Sequence, residues 1–191
     1  MYNILEISRT EETMLTFIKE NYRTSLKLFI NQMGMTVFGL IVLIAAKLLN
    51  NAVFHCAGVL AILMYMYLLY TAMWEKGSED KIRIDAGRIK ENKLYGLYVS
   101  LIANFLNILF GIIIVITSFF AENVAFCGDI YGAIKIIDTY INGMYMSLTY
   151  SVNTPFIYII IVLPALLVST VSYISGIKGQ RYIFPQSKKR K

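Results

Sequence analysis

Charged residues are scarce: Asp, Glu, Lys and Arg make up 16% of 191 positions, well under the ~25% usual for soluble domains. That shortage excludes an ordinary water-facing surface. Together with 57% apolar residues it places the chain in the membrane class. Only two cysteines occur, so no disulfide framework is implied. Acidic side chains are missing from the interiors of the long apolar runs, which argues against proton transport by a carboxylate relay within the spans. Also missing are a phosphate-cradling glycine motif, a Ser/His/Asp set and paired carboxylates within a span. The chain therefore reads as a non-enzyme, and no cofactor is expected. A secretory leader is not expected, because the first apolar run starts near Leu26 and is long enough to span.

What is present is a set of apolar runs separated by basic blocks. The runs are residues 27–49, 53–74, 97–120 and 156–176. At 1.5 Å per residue each reaches ~31–36 Å, enough to cross a hydrocarbon core of ~30 Å. Lipid offers no partners for free backbone groups, so helix is the expected conformation. The expectation is an all-α integral membrane protein: one domain of four transmembrane helices, with an N-terminal amphipathic helix and a short outer-face interfacial helix.

The net charge of +6 is not one patch. Arg9, Lys19, Arg23 and Lys27 precede the first run, six basic residues lie between Lys76 and Lys93, and six more lie from Lys178 to Lys191. The two other connections hold only Lys47 and Lys135. Placing both termini and the 75–96 connector in the cytoplasm puts 16 basic residues inside against two outside, as the positive-inside rule asks. Nucleic acid is not an expected partner, because the basic residues serve orientation instead.

Residues 121–155 are expected to form an external loop. As a fifth span they would bury Asp129, Lys135 and Asp138, at ~2.5–3.5 kcal/mol for such a charge at mid-membrane, and would export the basic tail. Ile130, Ile134, Ile137 and Ile141 recur at helical spacing, which predicts a short amphipathic helix on the outer membrane surface. Before the first run, Ser8 and Glu11 form a capping-box pattern. The helical spacing of Met14, Phe17, Ile18 and Tyr22 predicts a cytoplasmic amphipathic helix over 9–25, lying on the membrane or meeting a soluble partner.

Small and polar residues form two stripes. Ser100, Asn104, Asn107 and Gly111 share a face of the third run, and Ala165, Ser169, Ser172 and Gly176 share one of the fourth. Antiparallel packing along both stripes is expected, as interhelical glue or as the lining of a polar cavity for a solute. Pro164 removes a backbone donor and frees the Ile160 carbonyl, as a fixed bend or a hinge. His55, Cys56, Cys127 and Asp129 fall near one membrane face. They are metal-capable types, but their spacing matches no closed motif, so no metal is expected; a Cys56–Cys127 disulfide stays open as an alternative to two free thiols.

The connector "WEKGSEDKIRIDAGRIKENKLYG" mixes signs around Gly77, Gly87 and Gly96, and is expected to be a bent, solvated connector. Lys81, Arg83, Arg88, Lys90 and Lys93 can face anionic headgroups or a partner there. Trp74, Gly77, Asp80, Gly87-Arg88-Ile89, Glu91, Lys93, Gly96-Leu97 and Leu101-Ile102-Ala103, with Pro164 and "YISGIKGQR" from Tyr173, resemble uncharacterised small multi-span membrane proteins of anaerobic Gram-positive bacteria. The resemblance implies a bacterial plasma membrane and carries no activity. Ser100 and Asn104 stand where that pattern has glycine and, nearby, proline.

The function expected from these features is a non-enzymatic accessory or scaffold subunit, or a homo-oligomeric assembly, docking through the N-terminal helix and the connector. The alternative is a channel or small-solute permease component with Asn104, Asn107 and Ser172 in the path. A weaker alternative is an outer-face metal or redox site.

Overall fold

Long unbroken stretches without proline or a left-handed residue leave the first half of the chain free to form two helices. In the computed structural model α1 is Tyr2–Leu49 and α2 is Asn51–Asp85. The structure describes residues 2–121, 123–152 and 154–180, with the side chains of 2–15, 17 and 20 outside the description. The tail from Arg181 to Lys191 and the side chains of Ser8 and Glu11 therefore lie outside the described residues. The residues expected as an amphipathic helix over 9–25 and those expected as the first span belong to one helix, α1, which begins ahead of Ser8.

One residue joins α1 to α2. Asn50 accepts a hydrogen bond from the Val53 amide at 2.8 Å, a side-chain N-cap that satisfies one free donor. The other helices are α3 (Tyr95–Ala103), α4 (Phe105–Phe120), α5 (Ala125–Ile141), α6 (Met146–Ser151), α7 (Ile157–Ile160) and α8 (Val162–Ile177), with a 3₁₀ turn at Gly143–Tyr145. Among the described residues every regular element is helical.

Three segments are long and apolar enough to cross a membrane: Asn21–Leu49, Asn51–Asp85 and Ile157–Ile177. A fourth is available if α3 and α4, bent by 63°, count as one broken span. The chain is thus compatible with a multi-pass membrane protein. Its outward faces are aliphatic, with Ile41, Leu63 and Leu167 all more than half exposed, whereas Ser100, Ser169 and Ser172 are fully buried. A surface more apolar than parts of its interior suits lipid as the surrounding solvent.

The bend replaces the straight third span expected over 97–120. At Asn104 the side-chain amide donates to the Ser100 carbonyl at 2.9 Å, competing with the helix ladder at the break. A milder interruption falls at Ile161, next to Ile160, whose carbonyl Pro164 cannot serve.

The connector is shorter than expected. α2 continues past Trp74 to Asp85, and only Gly87, at φ 70°, ends it. The Gly87 and Arg88 amides donate to the Ile84 and Arg83 carbonyls, both at 2.9 Å, a glycine-terminated helix end. Gly77 lies inside α2 and Gly96 inside α3, as contact points rather than breaks: a Cβ on Gly77 would strike the Tyr173 carbonyl, and one on Gly96 the Ser169 carbonyl.

The largest departure is the segment expected on the membrane surface. α5 runs back along α4, and the chain reverses at Asn142–Tyr145 and leaves through α6. Thr36 donates to the Ile141 carbonyl at 2.6 Å, and Thr36 lies ~20 Å along α1 from Leu49 at 1.5 Å per residue. Tyr145 packs edge-on against Tyr65, ring centroids 6.3 Å apart, at a similar distance down α2. Residues 125–151 thus form a hairpin inserted into the bundle from the Asn50 end. Missing side chains make the room: Cβ atoms on Gly39 and Gly58 would collide with the Met144 backbone and the Ser147 side chain.

Candidate functional site at the tip of the inserted hairpin

The Ile spacing gives α5 its helix and its apolar face, and the same register turns Asp138 inward. Asp138 is 1% exposed. Asn142, one turn on, donates from Nδ2 to Asp138 Oδ1 at 3.0 Å. Gln32 of α1 donates from Nε2 to Asn142 Oδ1 at 3.1 Å. The result is a buried chain, Gln32–Asn142–Asp138, beside the Thr36–Ile141 bond. Buried polar groups are expensive unless satisfied. Two atoms here have no partner among the described residues, Asp138 Oδ2 and the Tyr145 hydroxyl.

One turn before Asp138, Lys135 lines a cavity of ≈ 350 Å³ with Thr139, Met146, Thr149, Tyr150 and Tyr158. The Lys135 ammonium stands 5.5 Å from the Tyr131 ring centre, within cation–π range. Among the described residues neither Lys135 nor Asp138 forms an ion pair. The expected spans themselves contain no carboxylate, but insertion of the hairpin from the segment expected as an external loop carries Asp138 between the helices.

A second buried polar cluster lies at the opposite end. Asp80, 3% exposed, accepts from Lys76 at 2.7 Å and from the Tyr173 hydroxyl at 3.1 Å. Tyr173 stacks on Tyr95 with centroids 4.6 Å apart, and the Tyr95 hydroxyl donates to Asn21 at 2.8 Å. These contacts tie α1, α2, α3 and α8 together. The exposed Lys27–Glu75 pair at 3.6 Å adds at most ~1 kcal/mol.

All eight stripe residues are buried. α3 and α4 run antiparallel to α7 and α8, with Gly96 against Ser169 and Tyr173 and Gly111 against Tyr158 and Ile159. This is about two helical turns from the register expected, in which Ser100 met Gly176. Gly176 meets Trp74, Gly77 and Ser78 of α2 instead. Among the described residues the stripes do not hydrogen-bond to each other: Asn107 donates to Asn104 at 3.0 Å, Asn104 turns to Ser100, and Ser172 bonds back to Val168 at 2.5 Å. Asn107 Oδ1 and Ser169 Oγ lack partners there. Ala165 is 1% exposed within the core.

His55, Cys56 and Asp129 are exposed and Cys127 is half-buried. The cysteines are free thiols, and among the described residues no three metal-capable side chains converge. His55 Nδ1 lies 3.3 Å from Ser151 Oγ, at the mouth of the hairpin. Arg83, Arg88, Lys90 and Lys93 are exposed beyond or at the end of α2, and Lys81 is half-buried beside Gly179. Arg83 lies 3.9 Å from Asp80.

Gln32, Thr36, Asn142 and Tyr145 escaped the sequence reading. The available signal was Gln32 and Thr36 four apart in an apolar run, which puts two polar side chains on one face of a span. No family model, curated protein or solved structure matches the chain.

Proposed function

We propose that the chain is a multi-pass protein of a bacterial plasma membrane that binds a small organic anion inside the bundle and passes it across, as a permease component without enzymatic activity. The observation that carries this reading is Lys135 in a cavity of ≈ 350 Å³ with mixed polar and apolar lining at the inserted hairpin. Ionisable side chains at membrane depth are costly and cluster along solute paths. Irregular backbone at that depth is tolerated where it is packed in protein or lines a cavity. The volume falls within the ~300–1,000 Å³ of ordinary ligand sites. Lys135 supplies the positive charge, and Thr139, Thr149 and Tyr158 line the same cavity.

In this reading both termini and the 86–94 connector face the cytoplasm, supported by the count of 16 basic residues against two. The hairpin then re-enters from the external face, and the return of its chain to that face keeps an even number of crossings. Arg88, Lys90 and Lys93, exposed on the cytoplasmic side, supply contacts to anionic headgroups.

The test is uptake of a panel of labelled small carboxylates by liposomes holding the purified chain. Uptake above empty liposomes is expected for at least one, with a tenfold or greater loss in Lys135→Met. Wild-type vesicles no more permeable than empty ones across the panel overturn the reading. They would favour a second one, an accessory subunit, which rests on the continuation of α1 from Asn21 back to Tyr2 beyond its span. A stoichiometric protein partner retained in mild detergent supports that reading, and its loss on deleting residues 2–18 locates the contact.

A further inference from the structure

We infer that the hairpin tip binds one alkali cation of sodium-like size, held by Asp138 Oδ2 together with the Ile141 carbonyl, the Thr36 hydroxyl and the Asn142 side-chain oxygen. The inference deepens the solute-handling reading and depends on it only for the use to which the cation is put.

Four observations carry it. First, Asp138 is 1% exposed and its Oδ2 has no partner among the described residues. An ionised carboxylate out of water is costly unless a counter-charge and hydrogen bonds compensate. Asn142 supplies one hydrogen bond, to Oδ1, and no described side chain supplies the charge. Second, the cation on the same helix is turned elsewhere: Lys135 stands over the Tyr131 ring and lines the cavity, and among the described residues it forms no ion pair to Asp138. Third, the carboxyl sits at the C-terminal end of α5, a helix of 17 residues. The last carbonyls of a helix carry its partial negative charge, and such half-helix ends at mid-membrane are suited to small cations. Fourth, the donors are all oxygen. Thr36 gives its hydrogen to the Ile141 carbonyl at 2.6 Å, which leaves the lone pairs of its hydroxyl available, and the Asn142 side-chain oxygen is held in place by Gln32 at 3.1 Å.

The donor chemistry selects the ion. Carboxylate, carbonyl, hydroxyl and amide oxygens are hard ligands that suit alkali and alkaline-earth ions, and this set includes no nitrogen or sulfur donor to favour a transition metal. A single carboxylate makes a neutral site with a monovalent ion, and a net positive one with a divalent ion. Neutral is the better state in a low dielectric. Na⁺ beside Asp138 and an anion beside Lys135 would also place opposite charges one helix turn apart, which couples the two binding events through mutual attraction.

The experiment is equilibrium binding of ²²Na⁺ to the full chain in mild detergent, at fixed pH and with choline chloride holding ionic strength constant. Saturable binding of about one ion per chain is expected. Asp138→Asn should weaken it tenfold or more, and Thr36→Val, which keeps the shape and removes the hydroxyl, should weaken it by a smaller factor. Lys135→Met should retain ²²Na⁺ binding while losing anion uptake, so failure of the transport reading and failure of this one are distinguishable. Thr36→Val also covers the case in which Asp138→Asn fails to fold. Binding that is absent in the wild type, or unchanged in both folded variants, overturns the proposal. So does stabilisation of the wild type by lowered pH with no response to Na⁺, which would make the tip a proton site.

Discussion

Replacing Gly77 with alanine tests the arrangement of the bundle against a built-in control. Gly77 and Gly34 both lie inside long helices, so alanine gains the same helix propensity at each, ~1 kcal/mol. Around Gly34 nothing lies within 4 Å of a new Cβ, and that gain is all that changes. At Gly77 the Cβ would strike the Tyr173 carbonyl, with the Gly176 Cα at 3.1 Å and the Ile177 amide at 3.2 Å. All three are backbone atoms, which cannot swing aside, so α2 and α8 must separate. Overpacking of this kind costs ~1–3 kcal/mol. Subtracting one variant from the other cancels propensity and leaves that cost, a factor of roughly 5–150 in the unfolding equilibrium. The assay is reversible unfolding in mixed micelles of mild detergent and dodecyl sulfate, followed by circular dichroism and by the fluorescence of Trp74, the one tryptophan. Trp74 lies at the crossing itself, where its indole donates to the Gln180 carbonyl at 2.8 Å. Equal stability of the two alanine variants would refute the close approach of α2 and α8. It would return Gly77 to the solvated connector that composition alone suggests.

Two other outcomes are expected. Asp80→Ala leaves Lys76 and the Tyr173 hydroxyl without their shared acceptor and should cost ~3–5 kcal/mol in the same assay, with Asp80→Asn costing less because its side-chain oxygen can still accept; a loss under about 1 kcal/mol for alanine would mean that the cluster does not hold the bundle. For the hairpin, single cysteines at Met144 and Phe126 in a background lacking Cys56 and Cys127 should react oppositely with a bulky polar maleimide applied to intact cells: Phe126, 72% exposed, is labelled, and Met144, 0% exposed, is not. Equal labelling would put the segment back on the membrane surface.

Legibility of the site followed the range of the interactions that build it. Asp138, Lys135 and the Ile spacing around them were all visible in the sequence, and so was the cost of burying those charges. The placement on the outer surface followed from that cost and from the export of the basic tail that a fifth span would require. What places the segment inside is non-local: Gln32 lies 110 positions from Asn142, and Gly39 and Gly58 open the groove from two other helices. The bend at Asn104 was hidden for a related reason. The run over 97–120 is apolar almost throughout, and only the turn of one amide to Ser100 marks the break.

Composition, apolar run length and the clustering of basic residues are enough to determine that this chain is helical and suited to a membrane, because each of these is a solvation property of consecutive residues. They also determine which residues are small or polar on each helix face. Which faces meet is another matter. The crossing of Gly77 with Gly176, the two-turn shift between the stripes and the insertion of residues 125–151 depend on contacts between residues far apart in the chain. Only the tertiary structure brings those residues together, and only there is Asp138 enclosed, with its neighbour Asn142 held from α1 by Gln32.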